Sequence, residues 1–299
     1  MNPDAVAQLV AGVLPGAVIN ETERLTGGVS ADVYRLDLTL PDGNTRSIVL
    51  RSHGESHSGH EASLEYDLLK WLHASGLPVP EPLHVDTSGQ ILPDPCLLID
   101  FSAGSSALPE PIPDDQVNTI AAMLARIHGT PVTGLPEALP QRRDPLLEVF
   151  DFLPTGAGWQ DITDHLHQLR DTGFTGQDTL LHGDFWPENL LWVDGDIRAV
   201  LDWEDAALGD PLSDVACTRV ELRYRYGPGI MRIFTHAYEQ YRPVDRQRLA
   251  LWQIYVAAAA QRYMGSWGLP AEQEAHMRRE ALASIREAGD ALLKGAVFD

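Results

Sequence analysis

The sequence predicts an α+β chain in two lobes: a small N-terminal region built on an antiparallel sheet, then a larger, mainly helical region. Three observations carry this expectation. Apolar and polar residues alternate after Val33 and run into the turn Pro41-Asp42-Gly43-Asn44, the pattern of a hairpin. The composition shifts to proline between Pro109 and Pro113. Beyond that point apolar residues recur at helical spacing, beginning with Val117, Ile120, Ala121, Leu124 and Ile127. The boundary is placed near residues 101–113, with an N-terminal lobe over residues 1–101 and a C-terminal lobe over residues 102–299.

The elements follow in order. Val6, Leu9, Val10, Val13 and Leu14 mark an opening helix. A glycine-rich turn, Gly27-Gly28-Val29-Ser30, precedes the first strand of the hairpin, and Ile48-Val49-Leu50-Arg51 is a short buried strand. A helix is expected over 60–73, with Leu64, Leu68, Trp71 and Leu72 inside and Gly76 and Pro78 as stops. Residues 80–95 read as loop, turn and short strand, and Cys96–Phe101 as another strand. The helix that starts near Val117 ends at His128-Gly129, and a second covers 161–170. Leu190–Val193 and Ile197–Leu201 flank the turn Asp194-Gly195-Asp196 as a hairpin. Helices then occupy about 212–225, 229–241, 245–264 and 271–293.

Composition narrows the function. With 299 residues, 44% of them hydrophobic, the chain can bury a large core in more than one lobe. A net charge of −21, with lysine only at Lys70 and Lys294, repels nucleic acid and anionic lipid surfaces. The same acidity fits either a cationic substrate or plain solubility, and both readings stay open. Cys96 and Cys217 form neither a close metal pair nor a disulfide framework, which points to a reducing, cytoplasmic setting. Residues 1–11 carry Asp4 and no basic stretch, so they read as a helix and not a signal peptide. The apolar run Tyr255–Ala260 is far too short to span a membrane. No feature fixes the oligomeric state.

The chemistry concentrates in His182-Gly183-Asp184-Phe185-Trp186-Pro187-Glu188-Asn189, followed by Leu201-Asp202-Trp203-Glu204. The tight hairpin connecting them is expected to bring Asn189 and Asp202 together at its base. An amide oxygen and a carboxylate suit Mg²⁺, which takes few protein ligands and keeps water and phosphate oxygens. Asp184 remains to accept the proton of an attacking hydroxyl. Protein kinases space their catalytic Asp and Asn in the same way, with the metal-binding Asp later in the chain.

These motifs resemble the aminoglycoside phosphotransferase and choline kinase-like family. The likeness rests on His182-Gly183-Asp184, Asn189, Leu201-Asp202-Trp203, Gly209–Asp214, Gly76–Pro80 and Leu124–His128, and it spans about residues 20–270. It implies a bilobal, protein-kinase-like fold and transfer of the γ-phosphoryl of ATP or GTP to a small-molecule hydroxyl, such as an aminoglycoside, a sugar or an amino alcohol, with Mg²⁺. It implies Asp184 as catalytic base, Asn189 and Asp202 as metal ligands, His182 shaping the catalytic loop and Asp214 bracing it. Gly27, Gly28 and Ser30 resemble the nucleotide loop, although Ala31 stands where the family commonly has Asn. The absence of Gly-x-x-x-x-Gly-Lys-Ser/Thr disfavours the unrelated P-loop class. Arg51 is the strand cation for the phosphates, with Glu65 as its helix partner and Glu61 as the alternative. Leu97–Phe101 resembles the hinge along the base, with Ile99 and Phe101 at its contact.

On the acceptor side, Glu188, Glu204, Asp205 and Glu221 are acidic candidates. Trp186, Tyr224, Trp252, Tyr255 and Trp267 are aromatic ones, each with core packing as the default. Two other readings compete. One is a non-catalytic nucleotide-binding or protein-interaction module of the same fold. The other is a kinase acting on protein side chains, which the short segment between Asp202 and Asp214 argues against.

Overall fold

Alternation along the N-terminal strands decides which side chains reach the core and which reach the chemistry. The computed structural model describes residues 2–25, 31–54, 59–295 and 298. Helix α1 (Pro3–Val13) starts where the Asn2 side chain accepts from the Asp4 N–H at 3.1 Å and Pro3 presets φ. Its Val6, Leu9 and Val10 join Leu36, Leu38, Ile48, Leu50, Cys96 and Leu98 in one buried cluster. The strand members of that cluster come from β2 (Asp32–Thr39), β3 (Thr45–Ser52) and β5 (Cys96–Asp100), with β1 (Val18–Arg24) and β4 (Pro82–Asp86) at the two edges. The sheet is antiparallel throughout, in the order β1-β2-β3-β5-β4.

Side chains along a strand alternate between faces. Ile48 and Leu50 belong to the α1 cluster, so Val49 and Arg51 fall on the other face, in register with Ile99 and Leu97. Helix α2 (Ala62–Ala74) packs on β4 and β5 and buries Glu65 with Leu68, Leu69 and Leu72. It starts two residues later than the sequence suggests, and Leu64 and Trp71 are only partly buried. Strand β1 is not apparent from the sequence. Its segment Val-Ile-Asn-Glu-Thr-Glu-Arg is exposed at nearly every position, so it carries no apolar alternation, and charges along an edge strand deter pairing with other chains.

The chain divides into two compact units that interleave in sequence. One comprises residues 1–105, 133–139 and 190–205, and the other 106–132, 140–189 and 206–299. The sequence alone suggests a single cut after residue 101. The hairpin of β7 (Leu190–Val193) and β8 (Asp196–Val200) is instead tied into the first unit by paired bonds between Ser105 and Trp192 and by the Val200 N–H on the Pro78 carbonyl at 2.7 Å. Gly104 lies so close to this hairpin that a Cβ would stand 3.0 Å from Leu191 Cβ.

The second unit is helical around one small ladder. Helix α3 (Asp114–His128) buries Val117, Ile120, Ala121, Leu124 and Ile127, the stripe legible in the sequence. Helix α4 (Gln160–Leu169) is followed by the ladder of β6 (Thr179–Leu181) and β9 (Ala207–Gly209). The sequence does not predict these three-residue strands, which are too short for any period. Helix α5 (Leu212–Glu239) breaks at Gly227, whose φ is +82°, before Pro228, so its halves match the two helices expected there. Helices α6 (Arg246–Tyr263) and α7 (Ala271–Lys294) complete the unit, with Asp245 capping α6 through the Gln247 and Arg248 N–H groups at 3.0 Å each. Among the described residues no helix is long and apolar enough to cross a membrane.

Candidate active site

The residues singled out by sequence fall in both units, and each set is built by its own elements. In the second unit, β6 delivers the chain to His182, and α5 presents Asp214 in its first turn. Asp214 is fully buried. It accepts the His182 N–H at 2.7 Å and the Gly183 N–H at 3.0 Å. His128 Nε2 lies 3.2 Å from the same carboxylate, and its Nδ1 lies 2.7 Å from the Tyr238 hydroxyl. Burial alone would push this carboxyl up. The His128 hydrogen bond and charge, with the His182 charge and N–H, outweigh it and hold the group below its ordinary value.

This clamp fixes a loop whose turn requires Gly183 at φ +89°. Arg142 donates to the Gly183 carbonyl at 3.0 Å, and Thr218 to the Phe185 carbonyl at 2.7 Å. His182 is buried, receives the Asp184 N–H on Nδ1 at 3.3 Å, and sits edge-on to Phe185 at 5.6 Å. The Asn189 amide nitrogen donates to the Asp184 carbonyl at 2.9 Å and to Asp184 Oδ2 at 3.2 Å. The Cys217 thiol faces Asp184 Oδ1 at 3.9 Å. Glu221 stands one turn further along the same face of α5. Burial first, then the charges of Asp184 and Glu188, push its carboxyl up to about 8.

In the first unit, β3 directs Arg51 to the face opposite the α1 cluster. Its Nε lies 3.5 Å from Glu65 Oε1, and its terminal nitrogens donate to Asp202 Oδ1 at 3.0 and 3.1 Å. The Glu204 carboxylate accepts from the same Arg51 Nη2. Burial would lower the guanidinium pKa, but Glu65, Asp202 and Glu204 raise it. Glu65 Oε2 also meets His53 Nε2 at 3.0 Å. Glu61 lies exposed at the N-cap of α2 and makes no capping bond, so Glu65 is the helix partner. Asp202 adopts a left-handed φ of +63°, a conformation that costs a residue with a side chain roughly 1–2 kcal/mol. Such strain is commonly kept at working sites.

The sequence pattern of the phosphotransferase enzyme family matches residues 21–252. The chain belongs to this family. An aminoglycoside 3'-phosphotransferase from Streptomyces fradiae is 27% identical over 218 residues, covering 66% of this chain and 80% of that one. Two solved structures share the fold. A Ralstonia eutropha protein assigned to the aminoglycoside phosphotransferases is 16% identical, with a TM-score of 0.75 over 99% of both chains. A thermostable mutant of an aminoglycoside phosphotransferase, in ternary complex with AMP-PNP and hygromycin B, is 17% identical, with a TM-score of 0.69 over 94% of this chain and 98% of that one. The α+β, kinase-like fold expected from the sequence is thus the fold of this phosphotransferase.

Several candidate side chains have duties that the structure makes explicit, and Trp252 and Tyr224 take the core packing expected by default. Glu204, offered for the acceptor wall, is committed to Arg51. Trp252 is buried and donates from its indole nitrogen to Asp210 Oδ2 at 2.6 Å, a core role. Tyr224 is buried as well, the Tyr255 hydroxyl donates to Glu148 at 3.0 Å, and Trp267 is exposed. Ile99 sits in the ladder opposite Val49 and Pro82, and the Phe101 N–H is spent on the Ser47 carbonyl at 3.2 Å. Gly27, Gly28 and Ser30 lie outside the described residues. Sequence reasoning misses His53, His128, Tyr238 and Arg142. For His128 the signal is present in Leu124–His128, a motif that resembles the family without disclosing which carboxylate the histidine meets.

The remaining atoms suit a hard cation. With its nitrogen spent on Asp184, Asn189 keeps its amide oxygen, and Asp202 keeps Oδ2; neither oxygen accepts a hydrogen bond among the described residues. No cluster of three or more His, Cys, Asp or Glu fit for a metal occurs among the described residues. Each of these two oxygens is, within its own unit, of the kind Mg²⁺ takes, since that ion uses few protein ligands and completes its shell from phosphate and water.

Proposed function

We propose that this phosphotransferase moves the γ-phosphoryl group of ATP or GTP to a hydroxyl of a small molecule, with Asp184 as the general base. Arg51, held by Glu65, receives the phosphates, and Asn189 and Asp202 hold Mg²⁺. A divalent cation bound there draws off charge from the phosphate oxygens. The acceptor oxygen forms a bond to the γ-phosphorus while the bond to the β-bridging oxygen breaks, and the nucleoside diphosphate leaves with that electron pair. The hydroxyl proton passes to Asp184 Oδ and then to solvent. His182 acts by shaping the loop. The family resemblance assigns Gly27, Gly28 and Ser30 to the nucleotide loop, and the base lies along Ile99 and Phe101, read by carbonyl groups since the Phe101 N–H is committed to Ser47.

One observation carries the reading: the Asn189 amide is tied by its nitrogen to both the backbone and the carboxylate of Asp184. That arrangement orients the base and turns a hard oxygen outward. The aminoglycoside phosphotransferases among the relatives support an amine-bearing acceptor. The free thiols Cys96 and Cys217 support a reducing, cytoplasmic setting.

The test is a transfer assay of the purified protein with Mg²⁺-ATP and Mg²⁺-GTP against aminoglycosides, sugars and amino alcohols, read as a phosphate mass gain on the acceptor. Transfer by the wild type, abolished in Asp184→Asn, is the expected result. Nucleotide binding with no transfer to any acceptor would instead support a non-catalytic binding module.

A further inference from the structure

The turn that carries Asp184 contains its own weakness. Gly183 stands at φ +89°, a conformation open to glycine at no steric cost, but the same permissiveness leaves the next peptide plane free to rotate. That plane joins Gly183 to Asp184, and a trans peptide points its carbonyl and its N–H to opposite sides. Both groups are held. The Asp184 N–H donates to His182 Nδ1 at 3.3 Å on one side, and Arg142 Nη2 donates to the Gly183 carbonyl at 3.0 Å on the other. The arginine bond is the shorter of the two, and a charged donor makes it roughly twice as strong as a neutral one.

Arg142 is itself anchored through its backbone. Its N–H donates to the Leu208 carbonyl at 2.8 Å, the Leu208 N–H donates to the Pro140 carbonyl at 2.8 Å, and Gln141 bridges Leu208. A Cβ added to Gly209 would lie 3.0 Å from Arg142 Cβ, so the glycine that ends β9 makes room for this approach. Among the described residues the Arg142 side chain has no competing duty: Nε is buried without a partner, and no carboxylate pairs with the guanidinium. In a chain with 43 acidic residues against 22 basic ones, that leaves its full charge for the loop carbonyl.

We infer that Arg142 is a positioning residue: by pinning the peptide plane between Gly183 and Asp184 it holds the proposed base in one orientation. The inference rests on the reading of Asp184 as general base. Without this bond the plane can turn about Gly183, the Cα–Cβ direction of Asp184 turns with it, and the carboxylate spends less time facing the acceptor hydroxyl. Displacing a catalytic group by about 1 Å can cost about 100-fold in rate. The loss falls on kcat, since ground-state binding does not need the base oriented.

The first measurement is hydrogen exchange of the full chain, read by mass spectrometry without nucleotide. In Arg142→Ala, exchange over residues 182–189 should quicken about tenfold while α3 and α7 keep their wild-type rates. The second is turnover with Mg²⁺-ATP and whichever aminoglycoside, sugar or amino alcohol the wild type phosphorylates fastest. Arg142→Ala should lose about 10- to 100-fold in kcat, the size of one charge-assisted hydrogen bond expressed as a rate, with KM for both substrates within about twofold of the wild type. Arg142→Lys, which keeps a charged donor on a flexible stem, should recover part of both losses. Arg142→Met keeps the apolar stem and gives the same reading should the alanine variant fold poorly. Arg143→Ala removes the exposed neighbour that pairs with Glu148 at 2.6 Å and should change neither measurement. Wild-type loop exchange and kcat in both Arg142→Ala and Arg142→Met overturn the inference. So does a quickening that reaches α3 and α7 equally, since Arg142 then stabilises the fold at large. Both of these outcomes leave the phosphotransferase reading intact. Transfer by the wild type to no acceptor at all would sink the proposed function, and this inference with it.

Discussion

The loop around Asp184 and the cluster around Arg51 use carboxylates in opposite ways. At the loop, one buried carboxylate, Asp214, answers two backbone N–H groups and a histidine. Around Arg51, three carboxylates answer one guanidinium. A buried carboxylate held by three hydrogen-bond partners is a fixture, because any motion strands a polar group without a partner. A cation with several carboxylate partners can trade one for another at modest cost. The contrast assigns rigidity to the loop that carries the proposed base and exchangeability to the region proposed to meet the phosphates.

The largest expected effect probes the fixed region. Asp184→Asn should lower kcat by about 10²–10⁴-fold, the usual contribution of a general base, while nucleotide affinity stays near that of the wild type. Retention of more than about a tenth of turnover would remove Asp184 from the role of base.

Next in size is Asp214→Asn, which weakens the clamp without touching substrate. A loss of about 3 kcal/mol in urea unfolding is expected for a broken buried polar network. The pH dependence has a definite sign. The folded pKa of Asp214 lies below its ordinary 3.8, so its contribution is complete well above pH 3.8 and fades as the pH falls through the lower folded value. The gap between wild type and Asp214→Asn should therefore close at acid pH. A constant gap from neutral pH down to about pH 2 would show that Asp214 is not held charged as the geometry requires.

Gly183→Ala tests the turn itself. At φ +89° an alanine should cost about 1–2 kcal/mol, and the loss should fall on kcat more than on KM, because the residue precedes the base. An unchanged melting temperature and kcat would mean that the loop relaxes freely.

The smallest effect concerns Glu221. Its carboxyl is pushed from 4.5 to about 8, so the folded chain holds a proton there that the unfolded chain has released. Stability from this group is complete below pH 4.5 and is lost as the pH rises toward 8. Glu221→Gln should consequently gain in melting temperature relative to the wild type between about pH 5 and 8. Parallel melting curves of the two proteins across that range would contradict the proposed burial.

What is legible in the sequence follows from distance along the chain. Asp184 and Asn189 share one short loop, and the hairpin after them is announced by Asp194-Gly195-Asp196, so local spacing is enough. Arg51 and Glu65 become visible through the alternation of β3 and the period of α2. The partnership of Arg51 with Glu204 spans 153 positions, and no local period reports a contact of that range. The same holds for His128 and Asp214, 86 positions apart. Strand β1 escapes notice because its side chains face water, and β6 and β9 because three residues carry no measurable alternation. The interleaving of the two units is likewise a matter of pairings, Ser105 with Trp192 and Val200 with Pro78, that composition does not encode.

The thiol of Cys217 has a consequence for chemical biology. Burial first, then the carboxylates of Asp184, Glu221 and Asp214, push it well above its ordinary 9.0. Alkylating reagents attack the thiolate, which is scarce under such conditions. A warhead aimed at this cysteine beside the proposed base should thus react sluggishly at neutral pH, which favours reversible inhibitors over covalent capture.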